Sequence, residues 1–276
     1  MRYSVKEKGR NSDLRLALLQ MDVRPDDAGA NRRTAERLIS QAAGDGADVI
    51  QLPETWNLGF FPKEGLRELA EPETGESRAL LAELAQKYHV NIAGGSLITR
   101  RNDRICNTFV CYDRDGRLIA EYDKIHGFSP SGEHEYFSAG DHLCTFSIDG
   151  VKAGAVICYD LRFPELVRTL ALEEIQLLFV CAQWPHPRLE HWQILNRARA
   201  IENQMYVSAV NACGQYGDLS FCGHSMLVGP FGEILAQAGD GEEIVCGEAD
   251  FQKIREIRES INVFRDRRPE LYFGGL

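Results

Sequence analysis

The sequence predicts an α/β fold in which parallel strands are covered by helices. Residues 14–23 form an apolar segment with strand character, residues 28–43 carry apolar side chains at helical spacing, and residues 47–52 form a second apolar strand. The alternation continues with a helix at 77–88 and a strand at 90–99. Because strands that alternate with helices pair in parallel, the connecting helices are expected to cover the sheet.

The rest of the chain adds two hairpins and further helices. Residues 105–122 and 142–157 are each predicted to fold back around an Asp/Gly turn. Between them, residues 123–141 form a long irregular loop, which inside a compact domain is typical of a functional segment. The remaining predicted elements are a helix from Pro164 to about Leu172, a strand at 175–181, a helix at 189–203, strands at 205–211, 224–228, 233–237 and 244–248, and a helix at 251–258.

Composition excludes several classes of protein. The net charge of −10 argues against nucleic acid as a partner, which usually requires a basic face. No apolar segment is long enough to span a bilayer, and the polar start of the chain does not resemble a secretory signal. The eight cysteines are scattered, several of them in apolar segments and none in a Cys-x-x-Cys pair, which fits a protein of the reducing cytoplasm and not a disulfide framework. We expect a flexible tail at 1–13 and a single domain at 14–276.

Three chemically reactive side chains each follow the end of a predicted strand. Glu54 follows the strand at 47–52, Lys124 follows the first hairpin, and Cys158 follows the second. In sheets built from β-α-β units, ligands bind at the carboxyl ends of the strands. The sequence therefore predicts that these three side chains meet at one site.

Each of the three also has an ordinary structural interpretation. Most cysteines in apolar segments are buried and inert, a lysine in a loop is usually solvated, and an acid after a strand often caps a helix. Cys158, however, lies where a buried strand turns sharply into a helix that begins at Pro164, and such a corner leaves backbone N–H groups free to bind an oxyanion. A lysine near the thiol would favour the thiolate, and a partly buried Glu54 would suit a general base.

Taken together, the flanking residues resemble those of the nitrilase, or carbon–nitrogen hydrolase, superfamily. The resemblance extends from about Leu14 to Tyr272 and is strongest in three motifs, Pro53-Glu54, Lys124-Ile125-His126, and Cys158-Tyr159-Asp160-Leu161-Arg162-Phe163-Pro164-Glu165-Leu166. It implies an α-β-β-α sandwich of two mixed sheets covered by helices. It also implies a homodimer or larger homo-oligomer, for which the helix after Cys158 and the helix at 189–203 are the candidate contact surfaces.

The resemblance assigns a role to each candidate residue. Cys158 is the expected nucleophile, Glu54 the general base and acid, and Lys124 an oxyanion-stabilising cation. The family carries a second glutamate between its lysine and cysteine motifs. Glu133 matches that position better than Glu135, and its expected role is to hold Lys124 and help to position the substrate. No metal or organic cofactor is required by this chemistry.

Within the superfamily, the sequence most resembles the ω-amidases, especially the bacterial 2-oxoglutaramate amidases. The supporting segments are 158–166, 184–192, 197–204 and 263–269. Such enzymes release ammonia from the terminal amide of 2-oxoglutaramate or 2-oxosuccinamate. Arg162 is the expected partner of the substrate carboxylate, because a guanidinium can bind a carboxylate with two hydrogen bonds; pairing with Asp160 or Glu165 is the alternative. The backbone N–H of Tyr159 is expected to contact the oxyanion of the bound substrate.

Several other functions remain open from the sequence. An N-carbamoyl amide hydrolase or a nitrilase would use the same three residues, and a catalytically inactive binding protein would share the fold. His126, His134 and His142 do not have the spacing of zinc ligands. A serine hydrolase is not supported, because the sequence has no Gly-x-Ser-x-Gly motif.

Overall fold

Fifteen strands and eight α-helices make up the part of the chain that this computed structural model describes, residues 13–60 and 64–272. The strands are β1 Asp13–Gln20, β2 Val49–Gln51, β3 Glu71–Pro72, β4 Asn91–Arg101, β5 Arg104–Tyr112, β6 Leu118–Asp123, β7 Thr145–Ile148, β8 Val151–Ile157, β9 Leu177–Ala182, β10 Tyr206–Asn211, β11 Gln215–Tyr216, β12 Leu219–Ser220, β13 Met226–Val228, β14 Ile234–Gln237 and β15 Glu243–Asp250.

The helices lie mainly between strands that pair in parallel. They are α1 Ala28–Gly44, α2 Leu66–Leu69, α3 Glu76–Tyr88, α4 Glu133–Tyr136, α5 Pro164–Leu172, α6 Leu189–Asn203, α7 Gln252–Ser260 and α8 Pro269–Tyr272. Short 3₁₀ turns occupy Ser129–Ser131, Cys158–Arg162 and His186–Arg188.

Thirteen of the strands form two mixed sheets with similar plans, and β11 and β12 pair separately as a two-stranded sheet. The first has the order β15-β1-β2-β4-β5-β6, with β3 also paired to β4, and the second has the order β14-β13-β10-β9-β8-β7. In each sheet three neighbouring strands run in parallel, β1-β2-β4 and β8-β9-β10, and antiparallel strands flank them. The carboxyl ends of the parallel strands are therefore available to position a site in both sheets.

The two sheets pack against each other, and helices cover their outer faces. Along β1, Leu16 and Leu18 pack with the second sheet, whereas Ala17 and Leu19 pack with α1 and α3. Side chains of α5 and α6, including Trp192, pack on the other face of the second sheet. The layers are thus helix, sheet, sheet and helix. Because β1 is buried on both faces, its sequence is almost continuously apolar rather than alternating.

The predicted α/β fold and the sandwich of two mixed sheets are confirmed, with small corrections to the boundaries. The tail predicted at 1–13 ends earlier, because Asp13 already pairs with Asp250 at the start of β1; residues 1–12 lie outside the described residues. The loop predicted at 123–141 also contains the 3₁₀ turn Ser129–Ser131 and the helix α4. These elements are too short for sequence periodicity to reveal.

All eight cysteines are free, and all but Cys246 are buried. No helix in residues 13–60 or 64–272 combines the length and apolar character needed to cross a membrane.

Candidate active site

The three side chains predicted to meet do lie together. Glu54 follows β2, Lys124 follows β6, and Cys158 follows β8. The Lys124 Nζ is 2.9 Å from Glu54 Oε1, and Lys124 and Cys158 line the same cleft. The cleft thus joins residues from the first sheet with a residue from the second.

Cys158 occupies a strained corner of the backbone. It has a φ of 48°, a conformation that non-glycine residues rarely adopt. β8 ends at the preceding residue, and a 3₁₀ turn over Cys158–Arg162 leads directly to Pro164, the first residue of α5. The predicted strand-to-helix corner is therefore present. Because the first N–H groups of a helical turn lack intrahelical acceptors, this corner offers donors close to the thiol.

Lys124 is buried between two carboxylates. Its Nζ lies 2.9 Å from Glu54 Oε1 and 2.9 Å from both carboxylate oxygens of Glu133, and all three side chains are 4% exposed. The Nδ2 of Asn107 donates to Glu54 Oε1 at 2.8 Å. The backbone N–H of Gln183 donates to Glu54 Oε2 at 2.8 Å. Both oxygens of Glu54 are thus hydrogen-bonded, which fixes the orientation of its carboxylate.

Burial and charge act in opposite directions on the lysine. Burial alone would lower the pKa of Lys124, but the carboxylates of Glu54 and Glu133 outweigh it and hold that pKa well above its usual value. The ammonium group is therefore charged throughout the neutral range, as required of a group that stabilises negative charge.

The surroundings of Cys158 favour the protonated thiol. Burial and the negative charge of Glu54 raise the pKa of Cys158 well above its usual value, and the opposing effect of Lys124 is smaller. The sequence suggested that a nearby lysine would favour the thiolate. That effect is present, but it is outweighed because the thiol is buried and Glu54 lies beside it.

Glu133, and not Glu135, contacts the lysine. Glu133 is the first residue of α4, is 3% exposed, and accepts a further hydrogen bond from the backbone N–H of Phe128 at 2.6 Å. Glu135 lies in the same short helix but is exposed. The positive φ of Gly132, at 75°, turns the chain so that Glu133 points inward.

Asp160 joins the cysteine corner to the lysine segment, a connection that the sequence reasoning missed. Its fully buried carboxylate accepts from Tyr122 Oη at 2.8 Å, from the backbone N–H of Ile157 at 3.1 Å and from the backbone N–H of His126 at 3.0 Å. It also lies 2.8 Å from His126 Nδ1. Residues on either side of Cys158 and Lys124 are therefore held by one carboxylate.

The outer part of the cleft is aromatic and carries two arginines. Phe128, Tyr159 and Trp184 line it together with Arg162 and Arg188. Tyr159 contacts Phe128 edge-on, with ring centroids 5.1 Å apart. The guanidinium of Arg162 lies 4.7 Å from the centroid of Trp184. The cleft therefore combines flat apolar walls with positive charge.

The alternative pairing considered for Arg162 is wrong. Among the described residues, Arg162 forms no ion pair with Asp160 or Glu165; its side-chain contact is with His191 Nδ1 at 3.3 Å. The Asp160 carboxylate points instead to Tyr122 and His126. Arg162 therefore faces the cleft with its charge unneutralised by a carboxylate of the described chain.

Arg188 was not singled out from the sequence, although a signal for it existed. It lies a few residues beyond the end of β9, in the 3₁₀ turn His186–Arg188. The reasoning that selected side chains after β2, β6 and β8 applies equally to β9. Gln183, which bonds to Glu54, follows the same strand end.

The histidines considered as metal ligands are dispersed. His126 bonds to Asp160, whereas His134 and His142 are exposed. Within the described part of the chain, no group of three or more His, Cys, Asp or Glu side chains is arranged to hold a metal ion.

The chain is similar to known proteins over most of its length. The sequence model of the carbon-nitrogen hydrolase family matches residues 15–259. The chain is 42% identical to the 2-oxoglutaramate amidase of Bacillus subtilis (strain 168) over 93% of its own length and 98% of the relative. It is 36% identical to omega-amidase NIT2 of Homo sapiens, covering 95% and 97% of the two chains.

A solved structure with the same fold is that of XC1258 from Xanthomonas campestris, a CN-hydrolase superfamily protein with an arsenic adduct in its active site. The TM-score is 0.87 and the sequence identity 31%, and the alignment covers 93% of this chain and 97% of that one.

Proposed function

Since this chain belongs to the carbon-nitrogen hydrolase family, we propose that it is a cysteine-dependent amidase that hydrolyses the terminal amide of small carboxylated substrates, most specifically 2-oxoglutaramate and 2-oxosuccinamate. The observation that carries the proposal is the buried group formed by Glu54, Lys124, Glu133 and Cys158, hereafter the buried cluster. The names of the relatives support the choice of substrate.

In the proposed first half-reaction, Glu54 removes the proton of the Cys158 thiol and the sulfur attacks the amide carbon. A base is needed because the pKa of the thiol is raised by burial and by Glu54 itself. The resulting carboxylic acid of Glu54 then gives its proton to the departing nitrogen, which leaves as ammonia. The products of this half-reaction are ammonia and a thioester on Cys158.

In the second half-reaction, Glu54 removes a proton from water, which attacks the thioester. The carbon–sulfur bond breaks, the sulfur regains the proton from Glu54, and the carboxylic acid product leaves. Both half-reactions pass through a tetrahedral oxyanion. The Lys124 ammonium and the backbone N–H of Tyr159 are the proposed stabilising groups, and burial of Lys124 strengthens its interaction with the oxyanion.

The remaining part of the proposal concerns substrate choice. A 2-oxo acid amide carries a carboxylate, and Arg162 lines the cleft with no carboxylate partner among the described residues. Guanidinium groups bind carboxylates through paired, charge-assisted hydrogen bonds. Arg162 would therefore hold the carboxylate end while the amide reaches Cys158.

Ammonia release from 2-oxoglutaramate by the purified protein tests the proposal, with Cys158→Ala as the control variant. We expect release by the wild type and a loss of at least about 1000-fold in the variant, since the nucleophile of a covalent mechanism is absent. A folded wild type that releases no ammonia from 2-oxoglutaramate would refute the substrate. Turnover of carbamoyl amides or nitriles would then indicate an N-carbamoyl amide hydrolase or a nitrilase of the same family. Turnover of none of these compounds would favour a catalytically inactive binding protein.

We also propose that the chain forms a homodimer or larger homo-oligomer through α5 and α6. Ile194 and Ile201 on α6 are 62% and 50% exposed, and Leu172 at the end of α5 is 41% exposed. Exposed apolar side chains on neighbouring helices are typical of protein interfaces. Light scattering should give a mass of at least twice 31.0 kDa. A monomeric mass at micromolar concentration would contradict this part of the proposal.

A further inference from the structure

Arg188 is held so that its guanidinium remains available at the cleft. The residue ends the 3₁₀ turn His186–Arg188, and its backbone carbonyl accepts a hydrogen bond from Trp184 Nε1 at 2.8 Å. Its guanidinium lies 5.4 Å from the centroid of the Phe128 ring. The backbone hydrogen bond therefore fixes the position of Arg188. The contact with the Phe128 ring does not occupy the N–H donors of the guanidinium, so they remain available to a ligand.

The charges lining the cleft are unevenly distributed. Lys124 is neutralised by Glu54 and Glu133 at hydrogen-bond distance. Arg162 and Arg188, hereafter the arginine rim, have no carboxylate within ion-pair distance among the residues that the structure describes. Burial and the neighbouring charge of Arg188 both lower the pKa of Arg162, so the two guanidinium groups are close enough to repel each other. Two adjacent cations without an anion are relieved when an anionic ligand binds between them.

We propose that Arg188 is a second carboxylate-binding residue and that the substrate carboxylate lies between the guanidinium groups of Arg162 and Arg188. The inference rests on the proposed amidase function for the rest of the substrate and adds a determinant of specificity. The cleft and the buried cluster together contain three cations and two carboxylates, which leaves a net charge of one positive unit to be neutralised by the ligand. The cations are Lys124, Arg162 and Arg188, and the carboxylates are those of Glu54 and Glu133. A monoanionic amide neutralises the site, whereas a neutral amide leaves the two arginines unpaired.

Arg162 alone does not offer all of its N–H donors to a ligand. Arg162 is already in contact with His191 Nδ1 and stacks on Trp184, so part of its hydrogen-bonding edge is occupied. The guanidinium of Arg188, beside Phe128, offers further N–H donors to the same carboxylate.

The kinetic test compares a carboxylated amide with a neutral amide of the same chain length, 2-oxoglutaramate and pentanamide. Arg188→Gln should lower kcat/KM for 2-oxoglutaramate by about 10-fold to 100-fold, the range supplied by hydrogen bonds to a charged group, and change that for pentanamide by less than about 2-fold. Arg188→Lys should recover part of the loss. Arg255→Gln, an exposed arginine on α7, is the matched control and should change neither value. An equal loss for both amides would overturn the proposal, because it would indicate a structural role.

A binding test separates this inference from the proposed reaction. In a Cys158→Ala background, which cannot form the thioester, calorimetry with 2-oxoglutaramate should show that Arg188→Gln weakens binding by about 10-fold or more. Arg188→Met keeps an unbranched stem against Phe128 and should weaken binding to a similar extent if the charge is responsible. Unchanged affinity in both variants would overturn the proposal. Failure of the wild type to hydrolyse 2-oxoglutaramate would refute the proposed function, yet this titration would still decide the role of Arg188.

Discussion

The buried cluster and the arginine rim belong to one cleft, yet their charges are satisfied in different ways. In the buried cluster, Lys124 contacts both Glu54 and Glu133, and these charged side chains are almost inaccessible to solvent. In the arginine rim, Arg162 and Arg188 are half-buried and face the cleft without carboxylate partners in the described chain. The charged groups of the buried cluster are paired without a ligand, whereas those of the arginine rim become paired only when an anionic ligand binds.

This difference indicates a division of roles. A fully paired buried network holds its members in one geometry, as required for chemistry at the thiol. Unpaired cations at an accessible surface cost little in stability and gain an interaction only when an anion binds. We therefore expect substitutions in the buried cluster to affect both stability and every substrate, and substitutions in the arginine rim to affect mainly carboxylated substrates.

The largest effect is expected from Lys124→Met. The substitution leaves Glu54 and Glu133 buried without their shared cation, which should lower the free energy of unfolding by about 3–5 kcal/mol. Loss of an oxyanion-stabilising group should also lower kcat by at least about 100-fold. Urea denaturation and ammonia release measure the two effects. A variant as stable as the wild type would contradict the view that the buried cluster is a tightly coupled network.

A smaller effect separates Glu133 from its neighbour Glu135. Glu133→Gln should lower kcat by about 100-fold, because Lys124 loses one of its two fixing carboxylates and a displacement of about 1 Å is enough for such a loss. The KM should change much less. Glu135→Gln is the matched control in the same helix and should leave both constants within about 2-fold. Equal losses in the two variants would show that α4 matters only as a structural element.

The pH dependence of the thiol probes the electrostatic coupling within the buried cluster. The Glu54 carboxylate raises the pKa of Cys158, so Glu54→Gln should lower that pKa and increase the thiolate fraction near neutral pH by about 10-fold. Alkylation of Cys158 by iodoacetamide should accelerate accordingly while amide hydrolysis is lost. Peptide mass spectrometry across pH 6–10 distinguishes Cys158 from the other cysteines. An unchanged or raised alkylation midpoint would contradict the assigned coupling.

Much of the fold and of the site could be predicted from the sequence. The strand and helix patterns predicted the α/β class, because β1, β2 and β4 are largely buried on both faces and are therefore rich in apolar residues. The positions of Glu54, Lys124 and Cys158 after strand ends indicated one shared site. Their roles, and the choice of Glu133, depended on the family resemblance.

Other features depend on contacts that local sequence does not encode. β15 pairs with β1 across more than two hundred residues, and no pattern within either strand specifies that partner. The inward orientation of Asp160 depends on Tyr122 and His126, which lie in β6 and just after it. Arg188 follows a strand end as the other site residues do, but it lies in a segment with no periodic pattern to draw attention to it.

Arg162→Gln is expected to have the smallest effect on stability. This variant therefore tests most directly whether the buried cluster serves the chemistry and the arginine rim serves substrate choice. Its free energy of unfolding should stay within about 0.5 kcal/mol of the wild type, because the side chain is half-exposed and lacks a carboxylate partner among the described residues.

The decisive measurement is kcat/KM for 2-oxoglutaramate and pentanamide in Arg162→Gln and Glu133→Gln. We predict that Glu133→Gln lowers both values by the same factor, whereas Arg162→Gln lowers only the value for 2-oxoglutaramate, by about 10-fold to 100-fold. If both variants lowered the two values in the same proportion, chemistry and substrate choice would not be divided between the buried cluster and the arginine rim, and the account would be wrong.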